Sequence, residues 1–275
     1  MDPAPSQGWQ AYLELRLRQL GERTRLLPQR RHGPLSVQRP FYPEGETCHV
    51  YLLHPPGGVV GGDRLELRVE LEQGANALLT APGAAKFYRS AGETAEVLQQ
   101  FGVAQSASLE MMPLENIYFP GARVRLHSRI ELDRGARLLW WEKHCFGRPS
   151  IGETFDSGRV DTGLSLQRAG RLIYHERQRM DARSIACASG LRGQPAMATM
   201  LACGPGLDEA LVELLRARQP EEGVGALSLL DEDLLLVRWL GADISALDRW
   251  FVALWRLLRP ALIGREACPP RIWNT

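Results

Sequence analysis

The chain has 275 residues, 44% of them hydrophobic, and carries 33 Lys+Arg against 32 Asp+Glu for a net charge of +1. That length buries a substantial core, and the near balance of charge excludes nucleic acid or an anionic membrane as a bulk electrostatic partner. Five cysteines at wide spacing, with no CxxC, argue against a disulfide framework and a structural zinc site.

Most of the first 190 residues read as strands. Apolar and polar residues alternate over 12–20, and residues 48–54 form the next strong run. Residues 64–74 follow with Leu65, Leu67, Val69 and Leu71 on one face. The pattern continues over 75–81, 94–103, 107–113, 123–132, 136–145, 159–170 and 171–180, with Gly- and Asp-rich turn signals between. Such spacing predicts an all-β sandwich, barrel or solenoid. Beyond residue 190 the chain changes character. Helical spacing appears at 207–219, a hairpin at 225–240 turning at Asp231–Asp233, and a second helix at 244–259. Asp243 is its predicted N-cap and Pro260 its predicted stop. The division is a β-rich body over 1–190 and a C-terminal α+β portion over 191–275, packed on it as one unit. The N-terminus lacks a basic start followed by an apolar run, and no stretch reaches the length of a membrane span. The expected compartment is the cytoplasm.

Residues 54–63, HPPGGVVGGD, pose the main question of chemistry. A phosphate-binding glycine loop joins a strand to a helix. Here a strand pattern follows at 64–74, no GK[ST] is present, and two prolines remove N–H donors. No GxSxG elbow is present. The six histidines form neither HxH nor HExxH, so no tight metal cage is expected. Neighbours on a strand face opposite ways, so His144 and Cys145 are poorly placed to act together, as are Cys48 and His49. The acids near turns or among apolar residues are Asp63, Glu115, Glu142, Glu153 and Glu176. Each suits loose coordination of a borderline divalent ion; the plainer and favoured reading is a surface acid, or a turn acid that accepts backbone N–H bonds. Residues 82–90 gather Lys86, Phe87, Tyr88 and Arg89, cations beside aromatics, which is an interface composition or a strand with a solvated face.

As a set, residues 37–65, 82–92 (PGAAKFYRSAG), 114–122 (LENIYFPGA), 141–158 (WEKHCFGRPSIGETFDSG) and 269–275 (PPRIWNT) resemble the urease accessory protein UreD family, also called UreH. The resemblance spans nearly the whole chain, with the blocks in order. It implies a mainly β, solenoid-like fold with two helices and no enzymatic activity. It further implies a cytoplasmic maturation factor that binds apo-urease and UreF and, through UreF, the GTPase UreG, in a dimeric assembly. The resemblance also implies that no cofactor is held tightly and that nickel(II) passes in transit through internal tunnels of the UreF–UreD assembly. Met112–Pro113–Leu114–Glu115 stands where the family often has Leu-Pro-Gln-acid, and Lys143, His144 and Cys145 stand where apolar residues are more usual. On this reading the paired glycines shape a wall that presents Asp63, and Asp63, Glu142 and Glu176 are weak sequential stops for a cation. Glu115 and Glu153 are further candidates. A carbohydrate-active enzyme using paired carboxylates and an interaction module without a metal path are the alternatives.

Overall fold

The computed structural model describes residues 8–231 and 233–274. Strand makes up 48% and helix 15%, so the chain is mainly β. In the first sheet, Gln10–Leu20, Arg64–Leu71, Ala95–Val103, Arg123–Leu132 and Arg159–Arg168 run parallel in that order. In the second, Cys48–Leu53, Asn76–Thr80, Ser108–Met111 and Arg137–Arg148 do the same. A short third ladder joins Ala85–Phe87, Asn116–Tyr118 and the far end of Arg137–Arg148. The chain visits the sheets in turn. Arg64–Leu71, Asn76–Thr80 and Ala85–Phe87 make one coil, and Ala95–Val103, Ser108–Met111 and Asn116–Tyr118 stack on it as the next. Parallel neighbours thus arise without crossover helices, because each strand's successor lies on another wall. This is the solenoid expected above.

Period-two alternation aims one face of every strand inward. Leu15, Val69, Phe101, Ile130 and Leu166 are register partners across the first sheet and all are buried. Phe101 meets Trp140 of the second sheet edge-on, ring centroids 4.8 Å apart. Burying a side chain of this size contributes about 1.5–3 kcal/mol, so the inter-sheet layer dominates cohesion.

Three strands of the C-terminal portion continue the second sheet: Ala196–Cys203 pairs antiparallel with Arg137–Arg148, and Leu234–Gly241 and Val224–Asp231 extend it. Of the hairpin turn anticipated at 231–233, Glu232 lies outside the described residues. There are three helices among the described residues, against the two anticipated: α1 (Ala182–Ala186), beside the strand Arg171–Met180, and α2 (Glu209–Arg216) and α3 (Ile244–Ile263), which cover the outer face of this sheet. The short α1 has no apolar periodicity; it exists through a reciprocal cap between Asp181 and Ser184. Asp208 and Asp243 cap α2 and α3.

Pro260 does not stop α3. The helix runs through it to Ile263 and ends at Gly264 in the left-handed conformation. Tertiary contacts override the proline. Leu258 and Leu262 are buried against the sheet, and the fully buried Arg259 donates to Glu110 at 3.0 Å and Glu44 at 2.7 and 2.8 Å. Trp255 Nε1 donates to the same Glu110 carboxylate at 2.7 Å, and His49 lies 2.6 Å from Glu44. This ion cluster ties α3 to the strands Cys48–Leu53 and Ser108–Met111.

Candidate functional site

One inward level breaks the apolar rule. Leu13, Leu67, Gln99, Ser128, Leu164 and Glu176 are register partners across the first sheet, so polar side chains enter at Gln99, Ser128 and Glu176. Opposite them, the second sheet places Glu142, Thr199 and Arg238 on one level. Two inter-sheet groups therefore sit between apolar layers.

Glu142 is the centre of the first group. It follows Trp140 on the inward face of its strand and is 7% exposed. Its Oε1 accepts from the Ser128 hydroxyl at 2.9 Å, and Ser128 also lies 3.2 Å from Gln99 Oε1. Its Oε2 is 3.7 Å from His144 Nε2, and His144 Nδ1 is 2.9 Å from the Tyr118 hydroxyl. Burial pushes the Tyr118 phenol well above its ordinary range, and the nearby Glu142 charge adds to this.

A cavity of about 450 Å³ reaches Glu142 and Gln99 from the surface. Its walls are mostly apolar, among them Leu65, Leu67 and Leu126, and its outer end is formed by His54, Gly57, Gly58 and Lys86. The HPPGGVVGGD loop is therefore the rim of a cavity. The glycines serve close approach. A Cβ on Gly58 would fall 2.2 Å from the Tyr88 ring, and one on Gly61 2.3 Å from Ser90 Oγ and 2.7 Å from the Glu93 carbonyl. His54, which the sequence reading did not select, lines this cavity, and its buried Nε2 has no hydrogen-bond partner. Burial lowers its pKa, against an opposing pull from Asp63. A neutral imidazole with an unused nitrogen is a metal-competent group.

The other selected acids sit differently. Asp63 is buried, and its two oxygens accept the backbone N–H groups of Trp9 at 2.7 Å and Val60 at 2.9 Å, tying the loop to the first strand. Glu176 accepts from Tyr174 at 2.8 Å, Gln178 at 2.7 Å and Arg238 at 2.7 Å, so donors saturate its carboxylate. Glu115 is half-buried outside the cavity lining, its carbonyl accepting from Ala85 N–H. Glu153 makes a two-pronged ion pair with Arg148, its register partner on a short antiparallel strand, at 2.7 and 2.8 Å. In the 86–89 segment, Lys86 and Arg89 are exposed, Phe87 is buried and stacked on Tyr118, and Tyr88 lies on Phe119 with centroids 4.8 Å apart. Lys143 faces away from Glu142 and donates to Asp248 of α3 at 2.6 Å.

Among the described residues, no three His, Cys, Asp or Glu side chains converge in a metal-binding group. The arrangement offers two separated donors along an apolar-walled space: His54 at the rim and, within, Glu142, which is backed by Ser128 and His144. No helix is long and apolar enough to cross a membrane.

Residues 10–274 match the family described as UreD urease accessory protein. The chain is similar to the urease accessory protein UreD of Pseudomonas putida (strain GB-1), 48% identical over 268 residues, covering 98% of this chain and 95% of that one. It is similar to the protein of that name from Pseudomonas entomophila (strain L48), 47% identical, covering 99% of this chain and 97% of that one. For the corresponding protein of Alcanivorax borkumensis (strain ATCC 700651 / DSM 11573 / NCIMB 13689 / SK2) the identity is 43%, over 98% of this chain and 93% of that one. The chain therefore belongs to the UreD family of urease accessory proteins.

Proposed function

We propose that this chain is a non-catalytic, cytoplasmic maturation factor for urease that passes nickel(II), as cargo, along its interior. On this reading it binds apo-urease and UreF, and through UreF the GTPase UreG, in a dimeric assembly. The observation that carries the metal path is Glu142: a buried carboxylate with one close hydroxyl partner, at the inner end of a cavity whose rim holds the unpaired His54 nitrogen. Carboxylate and imidazole both accept a borderline divalent ion. A carboxylate in an apolar surround favours a passing cation, because burial of unpaired charge is costly. Separated single donors hold an ion briefly and release it, whereas a full ligand shell would retain it.

A second reading, a scaffold with no metal path, draws support from the saturated carboxylates of Asp63 and Glu176. One reconstitution separates the two. Urease is matured with the wild-type chain or with one carrying His54→Ala and Glu142→Gln, and urease-bound nickel and captured UreF are measured. Transit predicts low nickel with UreF retained; the scaffold predicts normal nickel in both.

A further inference from the structure

An open groove of about 800 Å³ is lined by the turns at Ser90, Gly121 and Gly158 and by the strand starts that follow them in successive coils. Its cationic lining is Arg89, Arg123, Arg125 and Arg159. Arg125 is paired with Glu96 at 2.7 Å, and Asp161, the one carboxylate in the groove lining among the described residues, is held by Arg177 at 2.8 and 3.0 Å. Arg89, Arg123 and Arg159 are exposed and none has a carboxylate within ion-pair distance among the described residues; Asp181 is the acid near Arg159, at longer range. Arg123 donates only to the Gly92 carbonyl, at 3.1 Å.

This placement is unusual within the same face. Arg64 and Arg125 share Glu96, Arg68 pairs with Glu66, and Arg177 and Arg179 share Asp161. Yet Arg123 and Arg159 are direct register partners on adjacent parallel strands, so their backbones lie about 4.8 Å apart. Like charges set side by side repel, and a chain of net charge +1 has acids enough to pair them. We propose that this arginine groove docks an acidic segment of a partner protein, which supplies the missing carboxylates. Guanidinium binds carboxylate in a two-pronged geometry. The partly exposed Tyr88 on Phe119 supplies the aromatic anchor typical of such a surface. The location gives docking a purpose. Tyr88 packs on Gly58, so the groove adjoins the cavity rim, and a partner seated there faces the entrance. The identity of that partner as a urease-maturation protein rests on the reading above.

The test uses the full chain with Arg89→Glu, Arg123→Glu and Arg159→Glu together. The control reverses three exposed arginines elsewhere, Arg30, Arg31 and Arg256. Binding of a short fluorescent polyglutamate peptide is measured against an oligonucleotide of equal charge, and capture of UreF and urease is scored alongside. The groove variant is expected to lose at least tenfold in peptide affinity and to lose capture, with an unchanged melting midpoint, while the control keeps both. Equal peptide binding by the two variants overturns the proposal, as does tighter binding of the oligonucleotide than of the peptide. If the wild-type chain captures neither UreF nor urease, the maturation reading fails instead, and the peptide arm still decides the groove.

Discussion

Replacing Arg259 with Met removes the buried cation that anchors α3. Arg259 is 0% exposed and Glu110 is 1% exposed, so neither is solvated when the other is lost. The substitution leaves Glu110 with Trp255 alone and Glu44 with His49 alone. Breaking a buried pair from one side costs about 3–5 kcal/mol, a large share of the roughly 5–15 kcal/mol that stabilises a typical domain. With a urea slope near the upper end of the usual range, about 3 kcal/mol per molar, the unfolding midpoint falls by about 1–1.7 M. The pH dependence has a definite sign. Burial raises the Glu110 carboxyl pKa even with Arg259 opposing it, and without Arg259 it rises further. The folded variant then binds a proton that the unfolded chain releases. Its deficit is therefore largest above the folded pKa and shrinks as pH falls toward the ordinary glutamate value, about 4.3. Adding Glu44→Gln and Glu110→Gln recovers much of the loss, because no unpaired charge remains. Urea titrations of the single and triple variants near pH 8 and pH 5 measure all of this. A single-variant loss under about 1 kcal/mol, or one independent of pH, refutes the claim that this cluster holds the helix.

Gly61→Ala destabilises by about 1–3 kcal/mol, since its Cβ meets Ser90 and the Glu93 carbonyl, whereas Gly83→Ala, with nothing within 4 Å, stays within about 0.5 kcal/mol; urea midpoints compare them. Hydrogen bonding from Arg177 holds the Asp161 carboxyl below its ordinary range. A depressed carboxylate contributes stability above its unfolded pKa, about 3.9, and that contribution is lost as pH falls through the folded value. Asp161→Asn therefore flattens the loss of stability between about pH 5 and pH 2, read from melting midpoints across that range. Glu153→Gln breaks only an exposed pair with Arg148 and leaves nickel delivery unchanged, as scored by the metal content of matured urease.

The strands were legible because their information is local. Leu65, Leu67, Val69 and Leu71 announce one buried face without any partner being known, and Asp243 announces a helix start. Pro260 misled because the forces that carry α3 past it come from Glu44 and Glu110, far away in sequence. The candidate site was legible only in fragments. Glu142 stood out as an acid among apolar residues, but the level that joins it to Ser128 and Gln99 exists only once three coils are stacked in register. Asp63 looked like a presented acid, yet its partners are the backbone N–H groups of Trp9 and Val60, which no side-chain pattern encodes. Phe87 and Tyr88 read as one aromatic pair; strand alternation sends the first into the core and leaves the second partly exposed. His54 belonged to the quoted loop from the start, but its significance is the absence of a partner at Nε2, and that is a property of the folded cavity.

The most direct test of the metal path is the nickel content of urease matured with a Glu142→Leu chain. Leucine fits the apolar wall, removes the one carboxylate that lines the cavity among the described residues, and leaves Ser128 its Gln99 partner at 3.2 Å. The account predicts that nickel per urease falls at least fivefold while UreF and urease are captured as by the wild-type chain. Full nickel content with that variant would contradict it and leave the chain a scaffold.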